Sequence, residues 1–103
     1  MDRQTILQTL QTLRPELEAE GVRVIGLFGS YARGDTTRES DIDILIETTD
    51  RFIETHGGFG SVIRLDEIKQ QLQTLLGRKV DLADKKGLSP IGEKYILPEV
   101  IHA

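Results

Sequence analysis

Two aspartates, Asp41 and Asp43, stand two positions apart in a segment that is otherwise rich in isoleucine. Aspartate is depleted in strands because its side chain competes with the backbone for hydrogen bonds. In a strand, such positions place their side chains on one face, about 6.6 Å apart, where two carboxylates repel each other unless a cation bridges them. The spacing suits two divalent ions about 3.5–4 Å apart, as used in phosphoryl and nucleotidyl displacement. Oxygen ligands favour Mg²⁺, with Mn²⁺ as the alternative, over zinc.

A metal pair usually needs a further carboxylate from a neighbouring element. Asp81 lies between Val80 and Leu82 in a later apolar segment. If this segment is a strand, the Asp81 side chain points away from the face that its two neighbours bury. Asp81 is therefore the first candidate for the third carboxylate. Asp84, at the end of the same segment and with the opposite parity, is the second.

A Gly29-Ser30 pair follows an apolar segment and is separated from Asp41 by ten residues. Glycine lets the backbone approach a ligand closely, and a serine that starts a short helix offers N–H groups and a hydroxyl to phosphate oxygens. A ten-residue connection lets the two flanking strands run antiparallel, so that the pair and the aspartates meet at one end of the sheet. Arg33 and Ser40 complete the predicted nucleotide-binding set. Each also has a simpler interpretation, a surface ion pair for Arg33 and a turn or cap role for Ser40.

The apolar pattern predicts the elements that position these residues. Strands are expected at 22–28, 40–47 and 79–83, and helices at 3–14, 31–33 and 90–97, with a further amphipathic helix carrying Leu65, Ile68, Leu72 and Leu75 and ending at Gly77. Pro15 is expected to break or kink the first helix before a short helix that stops at Gly21, and Pro98 to interrupt the last one. Residues 48–60 are expected to form a loop.

The second strand alternates between two kinds of side chain. Ile42, Ile44 and Ile46 share one face, whereas the other face carries Asp41, Asp43, Leu45 and Glu47. One dry face and one acidic face indicate a sheet covered on one side. We therefore predict an α+β fold, a small three-stranded mixed sheet with helices packed mainly on one face, formed by residues 1–103 as one domain.

Composition excludes several classes of protein. The chain has 103 residues, no cysteine and a formal net charge of −4. Disulfides, zinc ribbons and a thiol nucleophile are therefore excluded. Sequence-independent nucleic-acid binding needs a basic surface, and the largest basic cluster is Lys85-Lys86, so no direct nucleic-acid binding is expected. No apolar run reaches the eighteen or so residues of a membrane span, and the first residues do not resemble a signal peptide, so we expect a cytoplasmic protein without a membrane partner.

The sequence Leu-Phe-Gly-Ser-Tyr-Ala-Arg-Gly at residues 27–34, followed by Ser-Asp-Ile-Asp-Ile-Leu at residues 40–45, resembles the signature of the minimal nucleotidyltransferases. These proteins belong to the DNA polymerase β-like superfamily. The resemblance extends to residues 75–82 and covers most of the chain. It implies that Gly29 and Ser30 bind phosphate and that Asp41 and Asp43 are ligands of two metal ions. Asp81 would be the third carboxylate and would assist in activating the attacking hydroxyl.

The resemblance also implies a function and a partner. Family members of this size pair with a small helical HEPN-domain protein, as antitoxin and RNase toxin, and transfer AMP from ATP to a tyrosine of the toxin. Two alternatives remain open at this point: an antitoxin that neutralises the toxin by binding alone, and a nucleotidyltransferase that acts on a small molecule such as a sugar or a drug. The missing acceptor domain disfavours the small-molecule alternative.

Overall fold

The computed structural model describes residues 2–103. The helices are α1 (Arg3–Glu20), α2 (Ser30–Arg33), α3 (Asp50–His56), α4 (Gly58–Leu76) and α5 (Pro90–Ile96). The strands are β1 (Val22–Phe28), β2 (Ile42–Thr48), β3 (Val80–Asp84) and β4 (Ile101–His102). Two 3₁₀ turns, Lys85–Gly87 and Leu97–Glu99, flank α5. Within residues 2–103, no helix is long and apolar enough to cross a membrane.

The strands form one mixed sheet in the order β3-β2-β1-β4. β1 pairs antiparallel with both β2 and β4, and β2 pairs parallel with β3. The α+β class and the mixed sheet are as predicted, but the sheet has four strands and not three. The additional strand was missed because β4 has only two residues, too few to show an alternating pattern.

The hydrophobic core lies between one face of the sheet and the helices α1, α3 and α4, and Tyr31 of α2 also belongs to it. Ile42, Ile44 and Ile46 are buried in it, as the alternation predicted. The core also contains side chains of α1 (Ile6, Leu10, Leu17), α3 (Phe52) and α4 (Ile68, Leu72, Leu76). Burying the isoleucines of β2 in this way turns Asp43 and Glu47 towards the opposite face.

Three details of the predicted elements were wrong. Residues 48–60 are not a loop, because they contain all of α3 and the first turn of α4. Pro15 does not break α1 or start a separate short helix, since its ring lies on an exposed face while the buried side chains of Leu10 and Leu17 hold both halves of the helix against the sheet. On α4, the buried position is Leu76, and Leu75 is exposed.

β4 lies unusually close to β1. Its residues pair with Gly26 and Leu27, and the N–H of Ala103 donates to the carbonyl of Ile25 at 3.1 Å. A Cβ atom at Gly26 would lie 2.2 Å from the carbonyl oxygen of Ile101. Because that contact is with backbone, a larger residue at position 26 would force β4 away from the sheet.

We therefore expect Gly26→Ala to destabilise the protein by about 1–3 kcal/mol, in the range of other overpacking substitutions. Chemical denaturation of the two proteins would measure the difference in the free energy of unfolding. Gly58→Ala is the matched control, since nothing lies within 4 Å of the added Cβ and the residue begins α4. This control should be neutral or slightly stabilising. Equal effects of the two substitutions would contradict close packing of β4.

Candidate active site

The three predicted acidic residues lie at one end of the sheet. Asp43 of β2 is directly paired with Asp81 of β3 in parallel register. Residues paired in this way project their side chains from the same face of a sheet. Asp41 precedes β2 by one residue, and the N–H of the intervening Ile42 donates to the carbonyl of Lys79 at 2.9 Å, which fixes the start of the strand. The fold therefore brings Asp41, Asp43 and Asp81 together.

The charge of Asp43 is disfavoured in the folded protein. Burial is the main factor that raises its pKa, and the neighbouring carboxylates of Asp81 and then Asp41 raise it further. Arg33 acts in the opposite direction. Asp43 is half-buried, whereas Asp81 is exposed. An excess of negative charge around a half-buried carboxylate is the environment that a bound cation would relieve.

The donor set fits a hard divalent ion, although the carboxylates do not form a closed cage. Among the described residues 2–103, no three acidic or histidine side chains already have the spacing of a metal centre. Carboxylate oxygens of Asp41, Asp43 and Asp81 are nevertheless the ligands that Mg²⁺ and Mn²⁺ prefer. Mg²⁺ also usually takes only one or two protein carboxylates, with water and substrate phosphates completing its coordination, so an incomplete protein cage suits it.

Gly29 connects β1 to the acidic residues. Its φ of 72° and ψ of −151° lie in a backbone region that residues with a Cβ atom rarely adopt. A Cβ atom at this position would lie 2.1 Å from Oδ2 of Asp43. Glycine is therefore required here both by the backbone conformation and by the close approach of the Asp43 carboxylate. Ser30 follows as the first residue of α2, where no side chain caps the helix.

Arg33 points towards acidic partners at this end of the sheet. Its Nε donates to Oδ2 of Asp35 at 3.1 Å, and its Nη1 lies 3.3 Å from Oε2 of Glu99. These contacts raise the pKa of the already strongly basic guanidinium, with the hydrogen bond to Asp35 as the largest cause. Arg33 thus forms surface ion pairs, the simpler of the two interpretations of this residue. It also lies near enough to Asp43 to lower that residue's pKa.

Ser40 and Asp84 make hydrogen bonds to groups other than Asp41, Asp43 and Asp81. The Ser40 hydroxyl accepts from the N–H of Thr37 at 2.8 Å, within the connection between α2 and β2. Asp84 Oδ2 accepts from the hydroxyl of Thr48 at 2.6 Å, and its Oδ1 accepts from the N–H of Lys86 at 3.1 Å. Asp84 is paired with Ile46, three positions along β2 from Asp43. These contacts give Asp84 a structural role and leave Asp81 as the carboxylate beside Asp43.

Glu99 is a residue of the site that sequence reasoning missed. Its Oε1 accepts from the N–H of Gly29 at 3.0 Å, and its carboxylate also pairs with Arg33. Its charge adds to those that raise the pKa of Asp43. Glu99 follows Pro98 in the tail, 70 residues from Gly29 along the chain, and no local spacing indicates this contact.

Comparison with known proteins identifies the family. The family model described as a nucleotidyltransferase domain matches residues 5–101. The chain belongs to this nucleotidyltransferase family. A solved structure of a candidate minimal nucleotidyltransferase aligns with this nucleotidyltransferase at a TM-score of 0.78 and 27% identity, over 100% of this chain and 97% of that one.

Two curated relatives of the nucleotidyltransferase are named as protein adenylyltransferases, one of them as a candidate. Protein adenylyltransferase MntA of Thermococcus cleftensis is 38% identical over 85 residues, which are 82% of this chain and 78% of that protein. A candidate protein adenylyltransferase of Methanocaldococcus jannaschii is 43% identical over 82 residues, 79% of this chain and 76% of that protein. A crystal structure of a toxin–antitoxin with AMP-PNP aligns at a TM-score of 0.58 and 30% identity, over 88% of this chain and 63% of that one.

The charge distribution of the nucleotidyltransferase predicts a stability effect. Without metal, Asp43→Asn should raise the free energy of unfolding at neutral pH by about 0.2–1 kcal/mol, the range for paired like charges on neighbouring strands. The raised pKa of Asp43 means that the folded state binds this proton at a higher pH than the unfolded chain does. The ionised carboxylate therefore lowers the free energy of unfolding at neutral pH. This loss is relieved as the pH falls towards about 3.9, the pKa of aspartate in an unfolded chain.

Denaturation of both proteins with a chelator present, from neutral to acidic pH, would measure this effect. The gain in stability should be largest at neutral pH and should disappear at acidic pH. A variant that is less stable than the wild type at neutral pH would contradict the electrostatic account of Asp43.

Proposed function

We propose that this nucleotidyltransferase transfers AMP from ATP to a tyrosine hydroxyl of a HEPN-domain toxin, using two divalent metal ions, and thereby acts as an antitoxin. The observation that carries the proposal is the pairing of Asp43 with Asp81 on parallel strands, with Asp41 beside them and Gly29-Ser30 next to Asp43. Carboxylates and a phosphate-binding turn at one end of a sheet are the parts that nucleotidyl transfer requires.

The proposed reaction breaks one phosphoanhydride bond and forms one phosphoester. The tyrosine oxygen of the toxin attacks the α-phosphorus of ATP, and the bond between this phosphorus and the oxygen bridging to the β-phosphate breaks. Pyrophosphate leaves, and the tyrosine proton passes to a carboxylate, for which Asp81 is the candidate. Bound Mg²⁺ or Mn²⁺ would lower the pKa of the attacking hydroxyl and neutralise charge on the triphosphate.

Each protein residue has a defined task in this scheme. Asp41 and Asp43 would hold the metal ions, with Asp81 completing the carboxylate set. Gly29, through its N–H, and Ser30, through its hydroxyl, would hold phosphate oxygens of the leaving pyrophosphate. The resemblance of the chain to proteins named adenylyltransferases supports AMP as the transferred group. Its resemblance to the toxin–antitoxin structure with AMP-PNP supports a toxin as the partner and a nucleotide as the substrate.

Incubation of the protein with a HEPN-domain partner, Mg²⁺ and ATP labelled in the α-phosphate tests the proposal. We expect label on the partner, and mass spectrometry should place AMP on a tyrosine. ATP labelled in the γ-phosphate should leave the partner unlabelled, because that phosphate departs with pyrophosphate. The double variant Asp41→Ala, Asp43→Ala should lose the transfer and still form the complex. Label on a small hydroxyl compound, without label on the partner, would overturn the choice of a protein acceptor.

Neutralisation by binding alone is a second candidate function. Phe59, Val62 and Ile63 expose apolar side chains on the first turns of α4, and Phe59 is 83% exposed. Exposed apolar residues that cluster on one helix favour a contact surface for another protein. If the double aspartate variant still neutralises the toxin fully in a growth assay, binding is sufficient and transfer is not the antitoxin activity.

A further inference from the structure

The carboxylate of Glu99 contacts two hydrogen-bond donors that are suited to bind phosphate, the N–H of Gly29 and the guanidinium of Arg33. One oxygen, Oε1, accepts the N–H of Gly29 at 3.0 Å, and the second, Oε2, lies 3.3 Å from Nη1 of Arg33. Backbone N–H groups and arginine side chains recognise carboxylates and phosphates through the same charge-assisted hydrogen bonds. The Glu99 carboxylate therefore takes the position that an anionic ligand would take at these donors.

The backbone of the tail holds Glu99 in this position. The 3₁₀ turn Leu97–Glu99 directly precedes Val100, and β4 then pairs with Gly26 and Leu27 of β1. Gly29 lies two residues after Leu27, directly after the end of β1. Since β4 packs closely on Gly26, the end of β1 and the backbone of Glu99 are held near each other. The Glu99 side chain alone is 26% exposed, so it can rotate away without unfolding the tail.

We propose that Glu99 is an anionic placeholder for a phosphate group of the nucleotide, which must displace it from Gly29 and Arg33 in order to bind. The inference rests on the proposed nucleotide site at Gly29. Glu99 is thus a residue that sets nucleotide affinity: it keeps both donors hydrogen-bonded when no nucleotide is present, and it opposes binding when a triphosphate arrives. Removing its charge should strengthen nucleotide binding.

A role for Glu99 as a further metal ligand predicts the opposite result. A ligand that helps to hold Mg²⁺ with the triphosphate would strengthen nucleotide binding, so its loss would weaken it. The contacts favour the placeholder, since both oxygens of Glu99 face the N–H and guanidinium donors. The sign of the change in affinity therefore separates the two roles.

Equilibrium titration with a non-hydrolysable ATP analogue and Mg²⁺, without any partner, tests the inference. Glu99→Gln keeps the size of the side chain, and its amide oxygen still accepts from Gly29. We expect it to bind the analogue about tenfold more tightly than the wild type. This is about the effect on affinity when one charge-assisted hydrogen bond no longer has to be broken before the nucleotide binds. Inorganic triphosphate should show the same gain, because the competition concerns phosphate and not adenine.

Glu93→Gln is the matched control, since Glu93 is an exposed residue of α5 and the change in net charge is the same. It should bind the analogue as the wild type does. An equal gain for this control would assign the effect to overall charge and overturn the placeholder. Unchanged or weaker binding by Glu99→Gln would also overturn it, while leaving the proposed AMP transfer untouched. If neither the wild type nor Glu99→Gln binds the analogue, both proposals fail.

Discussion

Replacing Asp43 by asparagine is expected to lower the rate of the proposed AMP transfer by at least about a thousandfold, since losing the metal ligand that we propose here would remove several kcal/mol of transition-state stabilisation. Asp43 lies at the centre of the candidate site: it pairs with Asp81, and its carboxylate lies against Gly29. Asparagine keeps the shape of the side chain and removes the charge. Single-turnover transfer of labelled AMP to the partner, at saturating Mg²⁺, would measure the effect.

Asp84→Asn provides the control for this experiment. Asp84 is also an acidic residue of the sheet, but it is hydrogen-bonded to Thr48 and paired with Ile46. Its substitution should leave the transfer rate within about twofold of the wild type and cost about 1 kcal/mol of stability, as for other buried hydrogen bonds. If Asp84→Asn abolished transfer and Asp43→Asn did not, the active site would lie at the other end of β2 and the present assignment would be wrong.

The directions of the candidate side chains were more accessible to sequence reasoning than the pairing of the strands that carry them. Strand alternation is a local property, so the burial of Ile42, Ile44 and Ile46 was enough to turn Asp43 to the open face. Likewise, the position of Asp81 between two apolar residues indicated its direction without knowledge of the topology. The parallel register that pairs Asp81 with Asp43 was not predictable, because register depends on contacts between distant segments.

The elements that were missed have weak local patterns or depend on tertiary contacts. α3 has seven residues and buries only Phe52, so it shows no helical repeat of apolar positions. Pro15 is compatible with a continuous α1 because packing on both sides of it outweighs the hydrogen bond that it cannot make. Leu45 was expected on the acidic face and is fully buried, which means that this face is partly covered. Glu99 reaches Gly29 only because β4 joins the sheet.

Replacing Gly29 by alanine is expected to reduce the proposed AMP transfer by about a hundredfold, the effect expected when a catalytic group, here the proposed Asp43 carboxylate, is displaced by about 1 Å. The added Cβ would overlap Oδ2 of Asp43. Either the Asp43 side chain would have to rotate away from Asp81 and Asp41, or β1 would have to move away from β2. The positive φ of the residue adds about 1–3 kcal/mol of backbone strain. The rate of transfer and the free energy of unfolding should be measured together, because the clash affects the first and the strain affects the second.

Gly34→Ala separates these two effects. Gly34 also has a positive φ, 83°, but the nearest atom to an added Cβ is Nη2 of Arg3, at 3.7 Å. This substitution in the left-handed helical region should cost about 1–2 kcal/mol of backbone strain and leave the carboxylate of Asp43 in place. At a temperature where both variants are folded, Gly34→Ala should therefore retain most of the transfer rate. Equal losses of activity in the two variants would mean that strain in the turn, and not the contact between Gly29 and Asp43, explains the requirement for glycine.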